Sequence, residues 1–330
     1  MHSKFYRFHS FLDKKNYIKS FGSKAFICKD GIENSFYFDN LLFTLLANFK
    51  LIRRLLRLNR STIKKLDNGS HLIIYNFKLL IWKKNELIKK IQFPFTRSIH
   101  NETISIHGSE IVVGEYGNSN NNFSVGVYIS SDFGETWRKR DLMKKGIVRN
   151  ILSVKYDSYK SEYWVFFGQS KNESRIIVYN KKWQKLKIIG ENHFNFRAIS
   201  SVFFKNHVLW FMNNPNGNSF VIKYDRDSEL FQKGFKFPGP VWYSFSSDNR
   251  YFLSTASEEN TVDKVYLLSS LDGEKWDVIS SYQKDRFNKK YFLYGLLSFP
   301  DQVIKNDKIM VYGEAIKKFD GKCFMQKFNL

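Results

Sequence analysis

The chain contains 330 residues and carries a net charge of +22, because 53 Lys and Arg face 31 Asp and Glu. Hydrophobic residues make up 43% and charged residues 25%, proportions that indicate a folded globular protein and exclude a mainly disordered chain. The two cysteines exclude a disulfide framework, and no Cys/His cluster has metal-ligand spacing, so we expect neither a metal nor another cofactor.

Residues 1–58 predict neither a leader nor a membrane span. The N-terminus is basic and aromatic without an apolar run of signal-peptide length, which predicts a cytoplasmic protein. The most apolar window, residues 40–49, is too short to cross a bilayer and ends at Lys50. The basic segment over residues 50–60 places arginines beside leucine and isoleucine, and it predicts either a short amphipathic helix or a strand.

From about residue 60 onward, short runs of Ile, Val, Phe, Tyr and Trp alternate with Asn, Gly, Asp and Ser turns. Helical periodicity is nearly absent, so the pattern predicts an all-β fold. Similar blocks begin near residues 60, 97, 149, 197, 242 and 291, with the period of roughly 40 to 50 residues that is typical of propeller blades. Most blocks divide into four strands, so residues 59–330 are predicted to form a six-bladed β-propeller.

The last block ends one strand short, which predicts that an N-terminal strand completes the last blade. Residues 23–31 are the candidate for this strand, and the later part of residues 1–58 then forms a capping helix or an extra strand pair. In that arrangement Cys28 and Cys323 lie on neighbouring strands. They form either a structural disulfide or two unrelated buried thiols.

Two turns share a pattern of serine, aspartate, glycine and tryptophan. Their residues are Ser130, Asp132, Gly134, Thr136 and Trp137 in the first turn, and Ser270, Asp272, Gly273 and Trp276 in the second. The carboxylate can accept backbone N–H bonds across the turn, glycine suits a positive φ, and tryptophan packs beneath it between blades. The pattern resembles the Asp-box, or BNR repeat, of the sialidase-type β-propellers. In that family it is a structural turn, so we expect no chemistry from either aspartate.

Arginines and then aromatic residues occupy equivalent positions at the start of successive blocks: Arg60, Arg97, Arg149, Arg197, Trp242 and Tyr243. In a propeller these positions open on one face, where ligands normally bind. Sialidase-like enzymes hold a carboxylated sugar with an arginine cluster on this face, so the resemblance implies an acidic glycan as the ligand. Alternatively, each arginine pairs with a carboxylate or carbonyl of a neighbouring blade.

A sialidase-like mechanism uses a tyrosine nucleophile that a glutamate activates. The residues of suitable chemistry are Glu115, Tyr116, Tyr291 and Glu314, and His100 and His107 are further candidates for a base. The Phe-Arg-Ile-Pro signature of the sialidases is absent, because residues 59–62 read Asn-Arg-Ser-Thr. Two functions therefore stay open. The first is a glycosidase or lyase acting on an anionic glycan, and the second is a non-catalytic propeller that binds a glycan or protein in cell-surface polysaccharide handling.

The positive charge does not by itself indicate nucleic-acid binding. The lysines are scattered over predicted strand and turn positions and form no continuous track with stacking aromatic residues. We therefore do not expect nucleic acid as a partner, and the sequence does not indicate an oligomeric state.

Overall fold

A computed structural model describes residues 5–84, 86–94, 97–99, 101–117, 123–247, 250–258 and 263–328. Over these residues the chain forms seven successive small antiparallel sheets, the blades of an all-β β-propeller. Each sheet forms because short apolar runs alternate with turn residues. One face of each strand is thereby buried, and neighbouring strands are joined by hairpins.

Blade 1 contains four strands: β1 (Arg7–Phe11), β2 (Tyr17–Phe21), β3 (Lys24–Lys29) and β4 (Ile32–Tyr37). Two short helices follow it: α1 (Leu41–Leu46) and α2 (Lys50–Leu55). Blade 2 also contains four strands: β5 (Thr62–Lys65), β6 (His71–Tyr75), β7 (Lys78–Lys83) and β8 (Glu86–Gln92). Blade 3 and a two-stranded ladder of β9 with β12 come next: β9 (Arg97–Ser98), β10 (Ile104–His107), β11 (Glu110–Gly114), β12 (Tyr116–Gly117), β13 (Val125–Ser130) and β14 (Arg138–Met143).

Blade 4 has four strands: β15 (Ile151–Asp157), β16 (Glu162–Phe167), β17 (Arg175–Tyr179) and β18 (Lys185–Glu191). Blade 5 has β19 (Ala198–Phe203), β20 (His207–Met212), β21 (Ser219–Asp225) and β22 (Phe231–Phe237). Blade 6 has β23 (Val241–Ser247), β24 (Arg250–Thr255), β25 (Lys264–Ser270) and β26 (Asp277–Gln283). The remaining elements are α3 (Lys289–Phe292), β27 (Leu296–Ser298), β28 (Asp301–Gln302), β29 (Lys308–Glu314) and β30 (Lys322–Lys327). Short 3-10 turns cover Asn101–Thr103, Lys171–Glu173 and Phe194–Phe196.

The number of blades differs from the sequence prediction, because the structure has seven blades and not six. Residues 7–37 form a four-stranded sheet of their own. The segment 23–31 contains β3, which lies between β2 and β4 inside that sheet and closes no other blade. The strands of blade 1 are short and follow one another through tight turns, in which Gly22 has a φ of 58° and Asp30 a φ of 52°. Residues 7–37 also lack the longer apolar runs that mark the later blades, and for this reason the sequence pattern did not predict a blade there.

Blade 7 has three strands, with β29 between β27 and β30. The prediction that an N-terminal strand completes this blade is wrong. Instead, the short strand β28 pairs in parallel with β1, with Ser10 opposite Asp301 and Phe11 opposite Gln302. This pairing adds β28 to the sheet of blade 1 and links that sheet to the C-terminal part of the chain.

The two cysteines are free thiols, so the disulfide alternative does not hold. Cys28 lies on β3 opposite Tyr17 and Glu33. Cys323 lies on β30, where its Sγ accepts a hydrogen bond from the backbone N–H of Phe8 at 3.4 Å. Burial raises the pKa of the Cys323 thiol to about 12, so it stays uncharged at neutral pH.

The chain divides into two compact units. The first comprises Met1–Ile63, Pro215–Asn218 and Phe235–Leu330, and it holds blades 1, 6 and 7. The second comprises Lys64–Asn214 and Ser219–Gly234, and it holds most of blades 2 to 5. Each unit has its own apolar clusters, built from the inward-facing residues of its strands. Within the described residues, no helix combines the length and the apolar character needed to cross a bilayer.

The first predicted aspartate turn joins β13 to β14. The carboxylate oxygens of Asp132 accept the backbone N–H of Thr136 at 2.9 and 3.1 Å, and Ser130 Oγ accepts the N–H of Gly134 at 2.8 Å. Gly134 has a φ of 89°, which glycine adopts without steric cost. The Trp137 indole donates to the Gly134 carbonyl at 2.7 Å and packs on the apolar cluster between blades 2 and 3. The turn thus has the hydrogen bonding and packing expected from its residues.

The second predicted aspartate turn joins β25 to β26 with the same pattern of bonds. Asp272 Oδ1 accepts the backbone N–H groups of the two residues that follow Gly273, each at 2.8 Å. Ser270 Oγ accepts the N–H of Gly273 at 2.8 Å, and Gly273 has a φ of 77°. The Trp276 indole donates to the Gly273 carbonyl at 2.9 Å, and its ring lies 5.8 Å from that of Phe237. The two turns are therefore structural elements of their hairpins.

We expect Asp132→Ala to lower the free energy of unfolding by about 1 kcal/mol at neutral pH, because the turn N–H groups lose their acceptor. Burial raises the pKa of Asp132, but hydrogen bonds from Thr136 and Ser130 outweigh that effect and lower the pKa to about 2. A lowered pKa means that the contribution is complete above the ordinary value of 3.8 and is lost as the pH falls towards about 2. Urea denaturation at a series of pH values should show the difference between variant and parent shrinking in acid.

The exposed Asp227→Ala provides a control for the Asp132 experiment, with an expected change within about 0.5 kcal/mol. If the two variants lost equal stability, or if the Asp132 effect persisted unchanged in acid, the carboxylate would not be the group that holds the turn.

Candidate functional site

The first unit contains a concentration of arginines in α2 and directly after it. Within α2, Arg53 pairs with Asp320 at 3.7 Å and donates a hydrogen bond to the Ala47 carbonyl at 3.0 Å. Arg54 pairs with Asp285. Both arginine side chains are buried, so their charges are committed to these two carboxylates. They fix α2 on the blades of its unit, and both also line a small cleft together with Asp320.

Glu314, at the end of β29, forms ion pairs with two arginines from distant parts of the sequence. Arg60 Nε and Nη2 each lie 3.0 Å from Glu314 Oε2, and Arg7 Nη1 lies 3.2 Å from Glu314 Oε1. The guanidinium of Arg7 also lies over the ring of Tyr312, 5.2 Å from its centroid. Tyr312 and Glu314 are two residues apart on one strand and therefore share a face of it.

The charges of this cluster are mutually dependent. Burial raises the pKa of Glu314, but the charges of Arg60 and Arg7 outweigh burial and hold it below its ordinary value, and Arg57 acts in the same direction. Burial lowers the pKa of Arg60, whereas the Glu314 carboxylate more than restores it. Burial and the neighbouring Glu314 raise the pKa of Tyr312, so its hydroxyl stays protonated. Arg7 and Arg60 thus share one carboxylate, so these two guanidiniums carry one more charge than Glu314 neutralises.

We call this cluster the arginine site and define it by Arg7, Arg57, Arg60, Tyr312 and Glu314. All of these except Arg7 line one small cleft. The side chain of Arg60 is 31% exposed, whereas that of Arg7 is 7% exposed. Arg60 and the exposed Arg57 are therefore the guanidiniums that an incoming anion can reach, whereas Arg7 is buried. Among the described residues, no group of His, Cys, Asp or Glu has the arrangement of a metal site.

The predicted aromatic residues at the start of blade 6 belong to the same unit. The Trp242 indole donates a hydrogen bond to Glu258 Oε1 at 2.6 Å, and its ring lies 6.2 Å from that of Tyr294. Tyr243 is buried and lies near Arg60. Of the residues predicted from the sequence, the structure therefore brings together Arg60, Tyr243 and Glu314.

Sequence reasoning missed three members of the arginine site: Arg7, Arg57 and Tyr312. Tyr291, the predicted tyrosine, lies on α3 with 59% of its surface exposed and makes no hydrogen bond to Glu314. Tyr312 occupies the neighbouring position instead, and its spacing of two from Glu314 was the available signal. Arg7 was missed because β1 was not predicted as a strand.

Two further predicted residues, Glu115 and Tyr116, belong to the second unit. Glu115 is buried, accepts the backbone N–H of Gly126 at 2.9 Å and pairs with Lys139 at 3.2 Å. The Tyr116 hydroxyl donates to Gln169 Oε1 at 3.4 Å. Although the two residues are adjacent in sequence, their side chains thus bind different neighbours, and a catalytic role for either stays a prediction.

Two predicted arginines of the second unit bind acceptors that the chain itself supplies. Arg149 Nε donates to Glu173 Oε1 at 2.8 Å, and the other oxygen of Glu173 accepts the Arg149 backbone N–H at 3.2 Å. Arg197 is buried and donates to both the carbonyl and the side-chain oxygen of Asn213. Glu173 and Asn213 belong to the same blade as the arginine that they bind, so these acceptors differ from the neighbouring-blade carboxylates and carbonyls of the alternative.

The remaining predicted positions are described only in part. Arg97 lies on β9, where its backbone is paired with Gly117, and its side chain is outside the described residues. His100 also lies outside the described residues. The ring of His107 lies 4.2 Å from that of Tyr156, which indicates a packing contact.

Comparisons with known proteins identify the fold and no family. No protein-family profile matches the chain, and no curated protein matches its sequence. Among solved structures, the extracellular domain of a protein described as a hybrid two-component system, from B. thetaiotaomicron, is 11% identical with a TM-score of 0.56. That similarity covers 98% of this chain and 38% of the other chain.

Two other structures have lower scores. A protein described as TolB from Agrobacterium tumefaciens is 10% identical with a TM-score of 0.46, over 67% of this chain and 80% of the other. The SapL1 lectin in complex with alpha methyl fucoside is 12% identical with a TM-score of 0.49, over 82% of this chain and 96% of the other. A lectin is thus among the structures that resemble this chain, and the resemblance concerns the fold alone.

Proposed function

We propose that this β-propeller binds an anionic glycan at the arginine site. The observation that carries the proposal is that Arg7 and Arg60 share the single carboxylate of Glu314, with Arg57 acting on the same group. Such a site keeps positive charge after its internal pairing, and a guanidinium suits a carboxylate or sulfate because it offers parallel N–H donors.

The accessibility of the site supports recognition of a ligand at its surface. Arg60 is partly exposed, whereas Glu314, Arg7 and Tyr312 beneath it are largely buried. The buried groups hold the Arg60 guanidinium in one position, so less side-chain entropy is lost when a ligand binds. An acidic sugar would meet a guanidinium that is already oriented.

Turnover is the second candidate function, because Tyr312 and Glu314 lie on one face of β29 beside two arginines. A tyrosine, a glutamate and arginines are the residue types that a sialidase-like mechanism employs. In the resting site, however, Glu314 is ionised between two guanidiniums, and the raised pKa of Tyr312 keeps it protonated. These charge states favour binding over acid catalysis by Glu314.

Because of the two aspartate turns at Asp132 and Asp272, we also propose that this chain belongs to the sialidase-type Asp-box propellers.

The Arg60→Ala variant tests the proposed function. A glycan array carrying sialylated, uronic-acid and sulfated glycans, with neutral counterparts, should give binding of the parent protein to acidic glycans only. The variant should bind the same glycans about tenfold or more weakly, because a charge-assisted hydrogen-bonded contact is lost. Release of reducing ends from each bound glycan separates turnover from binding.

Arg138→Ala is the matched control, because Arg138 is an exposed arginine on β14 outside the arginine site. It should leave glycan binding unchanged. Thermal unfolding of both variants verifies that each is folded. Binding of neutral and acidic glycans alike, or full binding by a folded Arg60→Ala protein, would overturn the proposal.

A further inference from the structure

The helix α2 has its polar and apolar faces reversed relative to an ordinary surface helix. Arg53 and Arg54 are buried in ion pairs with carboxylates of the fold, whereas Leu51 and Leu55 are 50% and 56% exposed. A surface helix normally buries its leucines and exposes its arginines. The outward face of α2 is therefore apolar, and burying it against an apolar surface would be more favourable than leaving it in water.

The helix α1, which precedes α2, also exposes leucines. None of its residues is buried, and Leu41, Leu42 and Leu45 are about half exposed. Its orientation is fixed, because the Thr44 hydroxyl accepts the Ser23 backbone N–H at 3.1 Å and also lies 2.9 Å from the Ser23 hydroxyl. These contacts hold α1 in place, and its leucines therefore stay on the solvent side of the folded chain.

We call this surface the leucine face and define it by Leu41, Leu42, Leu45, Phe49, Leu51 and Leu55. Phe49, between the two helices, is 62% exposed. Isolated exposed apolar residues are common, but six within fifteen positions form a patch of the kind that marks an interaction site.

Within residues 41–55, which contain the leucine face, every charged residue is a lysine or an arginine. No acidic residue occurs between Asp39 and Asp67, whereas lysines and arginines recur from Lys50 to Lys65. Arg57 is exposed directly after the leucines, and Lys50 is 43% exposed although its Nζ lies 3.8 Å from Asp285 and 3.6 Å from Asp320. Apolar side chains flanked by exposed cations are typical of segments that lie in the interface of an anionic membrane.

We propose that the leucine face binds the surface of an anionic phospholipid bilayer. The leucines and Phe49 enter the boundary between headgroups and acyl chains, and Arg57 stays at the anionic headgroups. A second copy of the chain is disfavoured as the occupant, because two molecules of charge +22 repel one another, whereas an anionic bilayer attracts both the cations and the whole molecule.

Vesicle co-sedimentation of the full chain tests this inference. The parent protein should bind vesicles of equimolar phosphatidylcholine and phosphatidylglycerol about tenfold or more tightly than vesicles of phosphatidylcholine alone, and added salt should weaken the binding. Leu45→Gln with Leu55→Gln should weaken binding to the anionic vesicles by about tenfold or more, because two insertion residues are lost.

The control variant is Leu230→Gln with Leu271→Gln, which changes two exposed leucines away from the leucine face. It should bind vesicles like the parent. A second pair, Leu42→Gln with Leu51→Gln, repeats the test if the first pair fails to fold. The inference is wrong if the parent binds neither kind of vesicle or both equally, or if a folded leucine-face variant still binds fully. It is also wrong if the parent, without binding vesicles, forms a dimer that the variants abolish.

Discussion

Glu314→Gln should lower the free energy of unfolding by about 3 kcal/mol at neutral pH. The carboxylate lies 3.0 Å from Arg60 and 3.2 Å from Arg7, and its side chain is 14% exposed. Replacing it with a neutral amide leaves two guanidiniums close together without a counter-charge, and removing one partner of a buried ion pair is strongly destabilising. Urea denaturation at neutral pH measures the loss.

The pH dependence gives the Glu314 prediction a second readout. The pKa of Glu314 is lowered in the folded chain, so its contribution is complete above the ordinary value of 4.5 and is lost as the pH falls through the folded value. The parent and the variant should therefore approach equal stability only in acid.

The control for Glu314 is Glu229→Gln. Glu229 also forms an ion pair, with Lys187 at 3.0 Å, but its side chain is 63% exposed. A solvent-exposed ion pair of this kind contributes little to stability. A loss for Glu314→Gln no larger than that of the control would mean that the arginine site does not hold the first unit together.

Gly168→Ala should destabilise the second unit by about 3 kcal/mol or more. Gly168 follows β16 with a φ of 102°, where an L-residue with a side chain is strained. A Cβ at this position would lie less than 3.0 Å from the backbone of Glu173 and Ser174. Because these are backbone atoms, no change of rotamer relieves the clash.

The Gly168 change should also disturb the contacts of Glu173, which accepts hydrogen bonds from the backbone of Gln169 at 3.1 Å and from Arg149 Nε at 2.8 Å. Thermal unfolding compares this variant with Gly146→Ala. Gly146 has a φ of 87° but nothing within 4 Å of an added Cβ, so its expected cost is only the backbone strain of about 1 kcal/mol. Equal losses for the two variants would contradict the role of the close backbone approach.

The sequence alone was sufficient for the local features of this fold. Strand and turn residues alternate with a period that predicts blades, because burial of one face of a strand depends on side chains two positions apart. The bonds of the turns at Asp132 and Asp272 followed from residues within a few positions of one another. Arg60 and Glu314 could be chosen for the same reason, since each stands at a defined position in its block.

Features that depend on contacts between distant parts of the chain could not be predicted from the local sequence. The seventh blade was missed because the short strands of residues 7–37 carry little apolar pattern of their own. The partners of the arginines were also undetermined. Arg7 and Glu314 are 307 positions apart, and nothing in the local sequence distinguishes Arg60, which is partly exposed, from Arg197, which is buried against Asn213.

The leucine face illustrates the same limit. The alternation of leucine and arginine over residues 50–60 predicts either a short amphipathic helix or a strand, and it does not tell which face turns inward. The tertiary structure decides this, because Asp285 and Asp320 lie where they pair with Arg54 and Arg53 and so turn the leucines outward. The sequence thus determined the elements and their residue types. The tertiary structure determined which charges are neutralised within the fold and which side chains stay available for a ligand or a membrane, because both depend on contacts between residues far apart in the chain.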